Sequence, residues 1–214
     1  MQVMPMKNAD DFMAVVARAS DVLRAGGVVL YPTDTLYGLG ADALSDEAVG
    51  RIYTVKGRPE GKPVHALVSD MAIAEKYADV GDAARKLARE LPRGKVSFVV
   101  PKKQGFDSGI CRGIPTFGFR IPDNDFCQAL LKSFGNPITA TSANPSGEGT
   151  KRSAREIVGQ LGAAARYIDL IIDAGELPER KPSTVVDFTS AEPAILREGA
   201  VSAEEVRRAL RASS

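Results

Sequence analysis

One histidine, two cysteines and almost no net charge are what the sequence offers, and each shortage closes off a class of protein. With His65 as the single histidine, a histidine-rich metal site is excluded. Cys111 and Cys127 stand too far apart for a Cys-x-x-Cys motif and read as free thiols of a reducing compartment. The 28 basic and 27 acidic residues leave a formal charge of +1. That balance gives no sign of a nucleic-acid coat or an acidic partner, although it leaves room for a local basic patch. No apolar run approaches the roughly 20 residues of a membrane span. Residues 1–9 carry no signal-peptide apolar core, so a cytoplasmic protein without a membrane partner is expected. Gly-x-Ser-x-Gly, Gly-x-x-x-x-Gly-Lys-Ser/Thr and Gly-x-Gly-x-x-Gly are also missing. A nucleotide site, if there is one, must be built by another route.

What is present is a regular alternation of helical and strand patterns along 214 residues, 44% of them hydrophobic. This suits one domain over 1–214, with a core from 10 to 210 and enough buried surface to need no disulfide or metal. Phe12, Val15, Val16, Ala19, Val22 and Leu23 recur at helical spacing until Gly26-Gly27. A second helix is expected from Ser45 to about Val55, and others around 71–77, 82–91 and 126–134. Ser153 with Glu156 and Ser202 with Glu205 form capping boxes that open two more. Strands are expected at 28–31, 64–68, 96–100, 117–121, 137–140, 168–172, 184–188 and 194–196, with polar loops at 147–151 and 175–183. The short connections near Phe117 and Thr184 predict a mixed sheet.

Three polar clusters follow apolar runs: Pro32-Thr33-Asp34-Thr35, Lys56-Gly57-Arg58-Pro59 and Thr141-Ser142-Ala143-Asn144. Ligand sites in open α/β sheets gather at such ends. Lysine offers a compact charge and arginine a planar fork, both suited to phosphate. Taken singly, each cluster also fits a bland reading: a solvated pair at a helix end, or an ordinary turn. Asp34 could orient a neighbour or only close a turn. His65, inside an apolar run, reads by default as a core or edge-strand histidine, with a substrate contact as the lesser alternative.

Together the clusters resemble the YrdC/Sua5 family. The resemblance rests on Tyr31-Pro-Thr-Asp-Thr-Leu-Tyr-Gly-Leu-Gly40, on Arg51-Ile-Tyr53 with Lys56-Gly-Arg-Pro59, and on Lys62-Pro63 followed by Leu67-Val-Ser-Asp70. It continues in Thr141-Ser-Ala-Asn-Pro-Ser-Gly147, Pro182-Ser-Thr-Val-Val-Asp187 and Leu196-Arg-Glu-Gly199. These follow family order from about residue 28 to residue 200. The resemblance implies an α/β fold of the α+β type, three layers with a twisted mixed sheet flanked by helices. The end soon after Leu-Arg-Glu-Gly resembles the short, single-domain form.

The implied activity is synthesis of threonylcarbamoyl-AMP and pyrophosphate from ATP, L-threonine and bicarbonate. Mg²⁺ would accompany ATP, with no metal ligands from the chain. The product would pass to tRNA-modifying threonylcarbamoyltransferase proteins. By the same resemblance Lys56 and Arg58 are catalytic and bind ATP together with Lys62, Thr116, Ser142, Asn144, Thr150 and Arg197. Thr35, Arg120 and Ser183 fall on the threonine side, where a guanidinium suits a carboxylate. The chain departs from the family pattern at Arg93-Gly-Lys-Val-Ser97, where many relatives have Pro-Gly-Pro-hydrophobic-Thr, and at Pro63-Val-His-Ala66. Both bear on substrate details. The alternative is an RNA-binding module of the same fold, acting on tRNA or double-stranded RNA. Near-neutral charge and the lack of an aromatic stacking motif count against it.

Overall fold

The computed structural model describes residues 1–6, 9–59 and 63–211. Among them ten strands form one sheet: β1 (Gln2–Pro5), β2 (Val29–Pro32), β3 (Tyr37–Gly40), β4 (His65–Leu67), β5 (Val96–Pro101), β6 (Thr116–Arg120), β7 (Ile138–Ser142), β8 (Leu170–Asp173), β9 (Thr184–Asp187) and β10 (Ala194–Arg197). Their spatial order is β1-β8-β2-β3-β7-β4-β6-β5-β9-β10. The sheet is mixed, as the short connections predict. β8 pairs in parallel with β1 and β2, β4 with β6, and β5 with β9. The remaining neighbours are antiparallel.

Among the described residues seven α-helices cover the two faces: α1 (Ala9–Arg24), α2 (Asp46–Lys56), α3 (Met71–Tyr77), α4 (Asp82–Glu90), α5 (Asp125–Phe134), α6 (Ala154–Leu161) and α7 (Ala203–Arg211). Strand alternation decides which helix meets which residue. Val29 and Tyr31 of β2 pack with α1 and α5, whereas Val28 and Leu30 point the other way, into α2 and α6. Further along the sheet Phe98, Phe117 and Phe119 pack beneath α3, α4 and α7. Their rings stack at 5.1 and 6.0 Å between centroids. The result is a sheet between two helical layers.

The local signals explain the boundaries. Ser45 caps α2 by accepting from the Ala48 amide, and Gly57 closes it at φ 56°, where a side chain would be strained. Gly135 closes α5 in the same left-handed region. Both capping boxes are present, with Ser153 and Ser202 hydrogen-bonded to Glu156 and Glu205. Arg51 anchors α2 to the sheet. Its guanidinium donates to Gly26 O, Tyr167 O and the Asp169 carboxylate, whose Oδ2 also accepts from the Val28 amide.

Two strands are absent from the sequence expectation. β1 is an edge strand, largely exposed and paired only with β8, so it carries no buried alternation. β3 contains two glycines, which are poor strand formers; β2 and β7 hold it on both sides. The strand expected at 168–172 begins two residues later, because Gly162–Tyr167 forms a 3₁₀ stretch before it.

Candidate functional site

Alternation on β6 creates the floor of a cleft. Phe117 and Phe119 enter the core, so Thr116, Gly118 and Arg120 face the opposite side of the sheet. A cleft of about 500 Å³ opens there, walled by the β2–β3 turn, β4, β6, β7, the 148–150 loop, residues 182–183 and Arg197. The guanidiniums of Arg58, Arg120 and Arg197 line it, with Glu148 as a lining carboxylate. A chain of balanced charge therefore concentrates positive charge in one place. A second cavity of about 450 Å³, between α3, α4 and the ends of β5 and β6, is mainly apolar and holds none of the predicted site residues.

The three polar clusters converge on this cleft. The β2–β3 turn is set by Thr33, whose hydroxyl accepts from the Thr35 and Leu36 amides and donates to Leu36 O at 2.7 Å. This presents the Thr35 side chain to the cleft, 3.0 Å from Thr33 Oγ1. Asp34 points away from the cleft and holds Arg120, with Nη1 at 2.6 Å from Oδ1 and 2.8 Å from Oδ2. Nη1 also donates to Gly94 O at 3.2 Å, which leaves the rest of the fork for a ligand. Gly94 is obligatory: it sits at φ 76°, and a Cβ there would lie 1.9 Å from Asp34 Oδ2. Arg180 closes the far side by donating to Asp34 O at 2.7 Å.

Lys56 is placed differently from the solvated helix-end lysine that its cluster suggests. It is 3% exposed. Its ammonium donates to the carbonyls of Ser142 and Asn144, while its own carbonyl accepts from the Ser146 amide. Lys56 thus ties the end of α2 to the turn after β7. Burial first, then the nearby Arg58 charge, bring its pKa down to about 8. Asn144 is a brace as well. Its amide donates to Glu148 O at 2.6 Å and Pro145 O at 2.9 Å, and its Oδ1 accepts from Thr150 at 3.1 Å. Neither Lys56 nor Asn144 lines the cleft; Ser142 and Thr150, which they hold, do.

Arg58 is the freer cation. Nη2 donates to Pro63 O at 2.9 Å, and Nε is buried without a partner among the described residues. A buried donor left unpaired costs stability unless something supplies an acceptor, and an anion in the cleft would do so. On the opposite wall Ser183 and Ser97 share a hydroxyl–hydroxyl contact of 2.8 Å. Arg197 donates to Ser183 O at 2.9 Å. Gly199 lets this wall approach, since a Cβ there would lie 2.2 Å from Pro182 O.

Of the predicted residues, Thr35, Arg58, Arg120, Ser142, Thr150, Ser183 and Arg197 share the cleft. Thr116 lies on the cleft side of β6 by alternation but beyond its lining, and Lys62 lies outside the described residues. Among the described residues no group of three His, Cys, Asp or Glu side chains could hold a metal. Sequence reasoning missed Arg180 and the pairing of Asp34 with Arg120. No local pattern links residues 86 positions apart.

A family model described as Sua5_yciO_yrdC, telomere recombination, matches residues 21–199. The chain is 34% identical over 193 residues to the threonylcarbamoyl-AMP synthase of Pyrococcus abyssi (strain GE5 / Orsay), covering 90% of this chain and 56% of that protein. It is 38% identical over 173 residues to the Bos taurus protein of the same name, covering 78% and 61%. A crystal structure of P. abyssi Sua5 complexed with L-threonine matches with a TM-score of 0.86 at 31% identity, over 97% of this chain and 60% of that one. The chain therefore spans less than two thirds of the length of each of these matches.

Proposed function

The chain belongs to the Sua5/YciO/YrdC family, and on that premise we propose that its cleft makes threonylcarbamoyl-AMP and pyrophosphate from ATP, L-threonine and bicarbonate. The observation that carries this reading is the convergence of Arg58, Arg120 and Arg197 with the hydroxyls of Thr35, Ser142 and Ser183 in one cleft. The names of the relatives favour it over an RNA-binding module.

In this reading the threonine amine first attacks the bicarbonate carbon, which loses a C–O bond as water leaves, to give an N-carboxylate. A carboxylate oxygen attacks the α-phosphorus of ATP, and the bond to the β-phosphate oxygen breaks to release pyrophosphate. No covalent nucleophile from the protein is needed; the chain must position two reactants and stabilise charge. Arg58 and Arg197, with Ser142 and Thr150, would hold the phosphates. Lys56 and Asn144 act one step back, fixing the wall that carries Ser142 and Thr150. Lys56 retains its charge at neutral pH and adds to the positive field.

Arg120, aimed by Asp34, would take the threonine carboxylate, with Thr35 and Ser183 beside it. The donors present fit Mg²⁺ carried on the nucleotide's own oxygens, with Glu148 the lining carboxylate available to it. Bound so, the ion would neutralise charge on the departing pyrophosphate. We place the reaction in the cytoplasm, with tRNA-modifying threonylcarbamoyltransferase proteins taking the product. No helix among the described residues is long and apolar enough to cross a membrane.

The test is pyrophosphate release from ATP and Mg²⁺, with and without L-threonine and bicarbonate. Release that requires both is expected. Release indifferent to threonine, or none from folded protein, would overturn the reading.

A further inference from the structure

His65 is the first residue of β4 and stands on the cleft wall. Its neighbour on β6 is Gly118, one step before the Ala66–Phe119 pair. A Cβ on Gly118 would lie 2.3 Å from His65 Cδ2 and 3.0 Å from Nε2, so the imidazole occupies space that only glycine leaves. On the other side it adjoins Ala140 of β7. Neither ring nitrogen has a hydrogen-bond partner among the described residues. A polar ring, built into the wall of a cleft and left without a partner, has its nitrogens available to whatever enters.

The surroundings define what that is. Arg58 from the segment after α2, Arg120 from β6 and Arg197 from β10 share the cleft with His65. Guanidiniums donate and do not accept, so none of them repels an anion. Glu148 approaches from the 148–150 loop; Asp34 and Lys56 lie behind the wall, the first occupied with Arg120, the second with two carbonyls. β5 contributes the uncharged Ser97. Burial first, then the fields of Arg197, Arg120 and Arg58, push the His65 pKa down to about 4, so the ring is neutral at neutral pH while the cleft is free of ligand. A polyanion seated among the arginines cancels that field and supplies acceptors for a second N–H.

We infer that His65 is a further ligand-binding residue of this cleft, which in mildly acidic solution takes one proton from solvent as a polyphosphate seats among Arg58, Arg120 and Arg197 and donates the new N–H to a phosphate oxygen. The inference rests on the nucleotide reading of the same cleft. The sign follows from linkage: the complex holds a proton that the free protein lacks, so binding tightens as pH falls through the pKa of the complex toward that of the free protein. One unit of upward shift corresponds to about tenfold in affinity at low pH.

Because His65 is the chain's single histidine, its ring signals can be followed by NMR in the full chain from about pH 3 to about pH 8, a span that brackets the free midpoint. The probe is inorganic pyrophosphate, with calorimetry on the same samples to report occupancy. A midpoint that rises by about two units on saturation, from about 4 to about 6, is expected. Between pH 7.5 and 5.5, affinity should improve about fourfold more in wild type than in H65N if the midpoint reaches about 6 in the complex, a comparison that removes the phosphate's own titration. Pyrophosphate that binds without moving the His65 midpoint overturns the inference and leaves the nucleotide reading standing. Folded protein that binds neither pyrophosphate nor ATP overturns both.

Discussion

Arg120 and Asp34 form a buried ion pair, with side chains 7% and 4% exposed, at the boundary between the core and the cleft. Such a pair is costly to break from one side, because the surviving charge stays buried; about 3–5 kcal/mol is usual. D34N and R120M should therefore each lower stability to urea by about 3 kcal/mol or more. The double variant D34L/R120M should lose less than the sum of the two. G94A should also destabilise, by about 2 kcal/mol or more, since its Cβ would collide with Asp34 Oδ2 at a strained φ. In kinetics R120K should raise the threonine requirement more than the ATP requirement. Equal effects on both would remove Arg120 from the threonine side.

Lys56 and Arg58 should separate cleanly. R58M loses one bond to Pro63 O, so stability should hold within about 1 kcal/mol while pyrophosphate release falls about 100-fold or more. K56M leaves the Ser142 and Asn144 carbonyls without their donor, so it should lose about 2 kcal/mol as well as turnover. The pH profile isolates the lysine. Its pKa is about 8 in the folded protein, below the roughly 10.4 of an unfolded chain. Between those values the unfolded state binds more protons, so stability rises with pH. Wild type should therefore gain on K56M from about pH 8 to about 10.4. Parallel curves for the two proteins would show that the ammonium is not buried as described.

Much of the architecture was legible because it depends on local chemistry. Ser45 and Gly57 bound α2 through their own capping geometry, and the alternation of Thr-Phe-Gly-Phe-Arg assigns each side of β6. Five of the seven predicted residues that meet in the cleft, Thr35, Arg58, Ser142, Ser183 and Arg197, came from ordered motifs. What stayed hidden is long-range. Lys56 reads as a helix-end lysine until the chain returns at 142–146 and folds over it. β1 carries no buried pattern because only one of its edges is paired. His65 reads as a core histidine until Gly118 and three arginines from distant segments meet around it.

Cys111 and Cys127 are both buried. Burial pushes the Cys111 thiol up to about 12 and the Cys127 thiol higher still. Only the thiolate reacts with disulfide reagents. At pH 8 the native protein should resist such a reagent, and both thiols should react together at the rate of global unfolding. Rapid reaction of either one would reveal a local opening that exposes it.

The fit between Gly118 and His65 can be tested through stability. In G118A the new Cβ meets the His65 ring, so the imidazole must shift or the strands must part. Overpacking of this kind costs about 1–3 kcal/mol. If the ring is the obstacle, H65A removes the clash, and G118A should then cost about 1 kcal/mol less than in wild type. The two sites are in contact, so the double-mutant cycle measures their coupling and not two separate losses. G118A should also displace the His65 ring signals while leaving the rest of the fold intact. An unchanged cost in the H65A background, together with unmoved ring signals, would mean that β6 yields at Gly118 instead and that the ring is not seated over it.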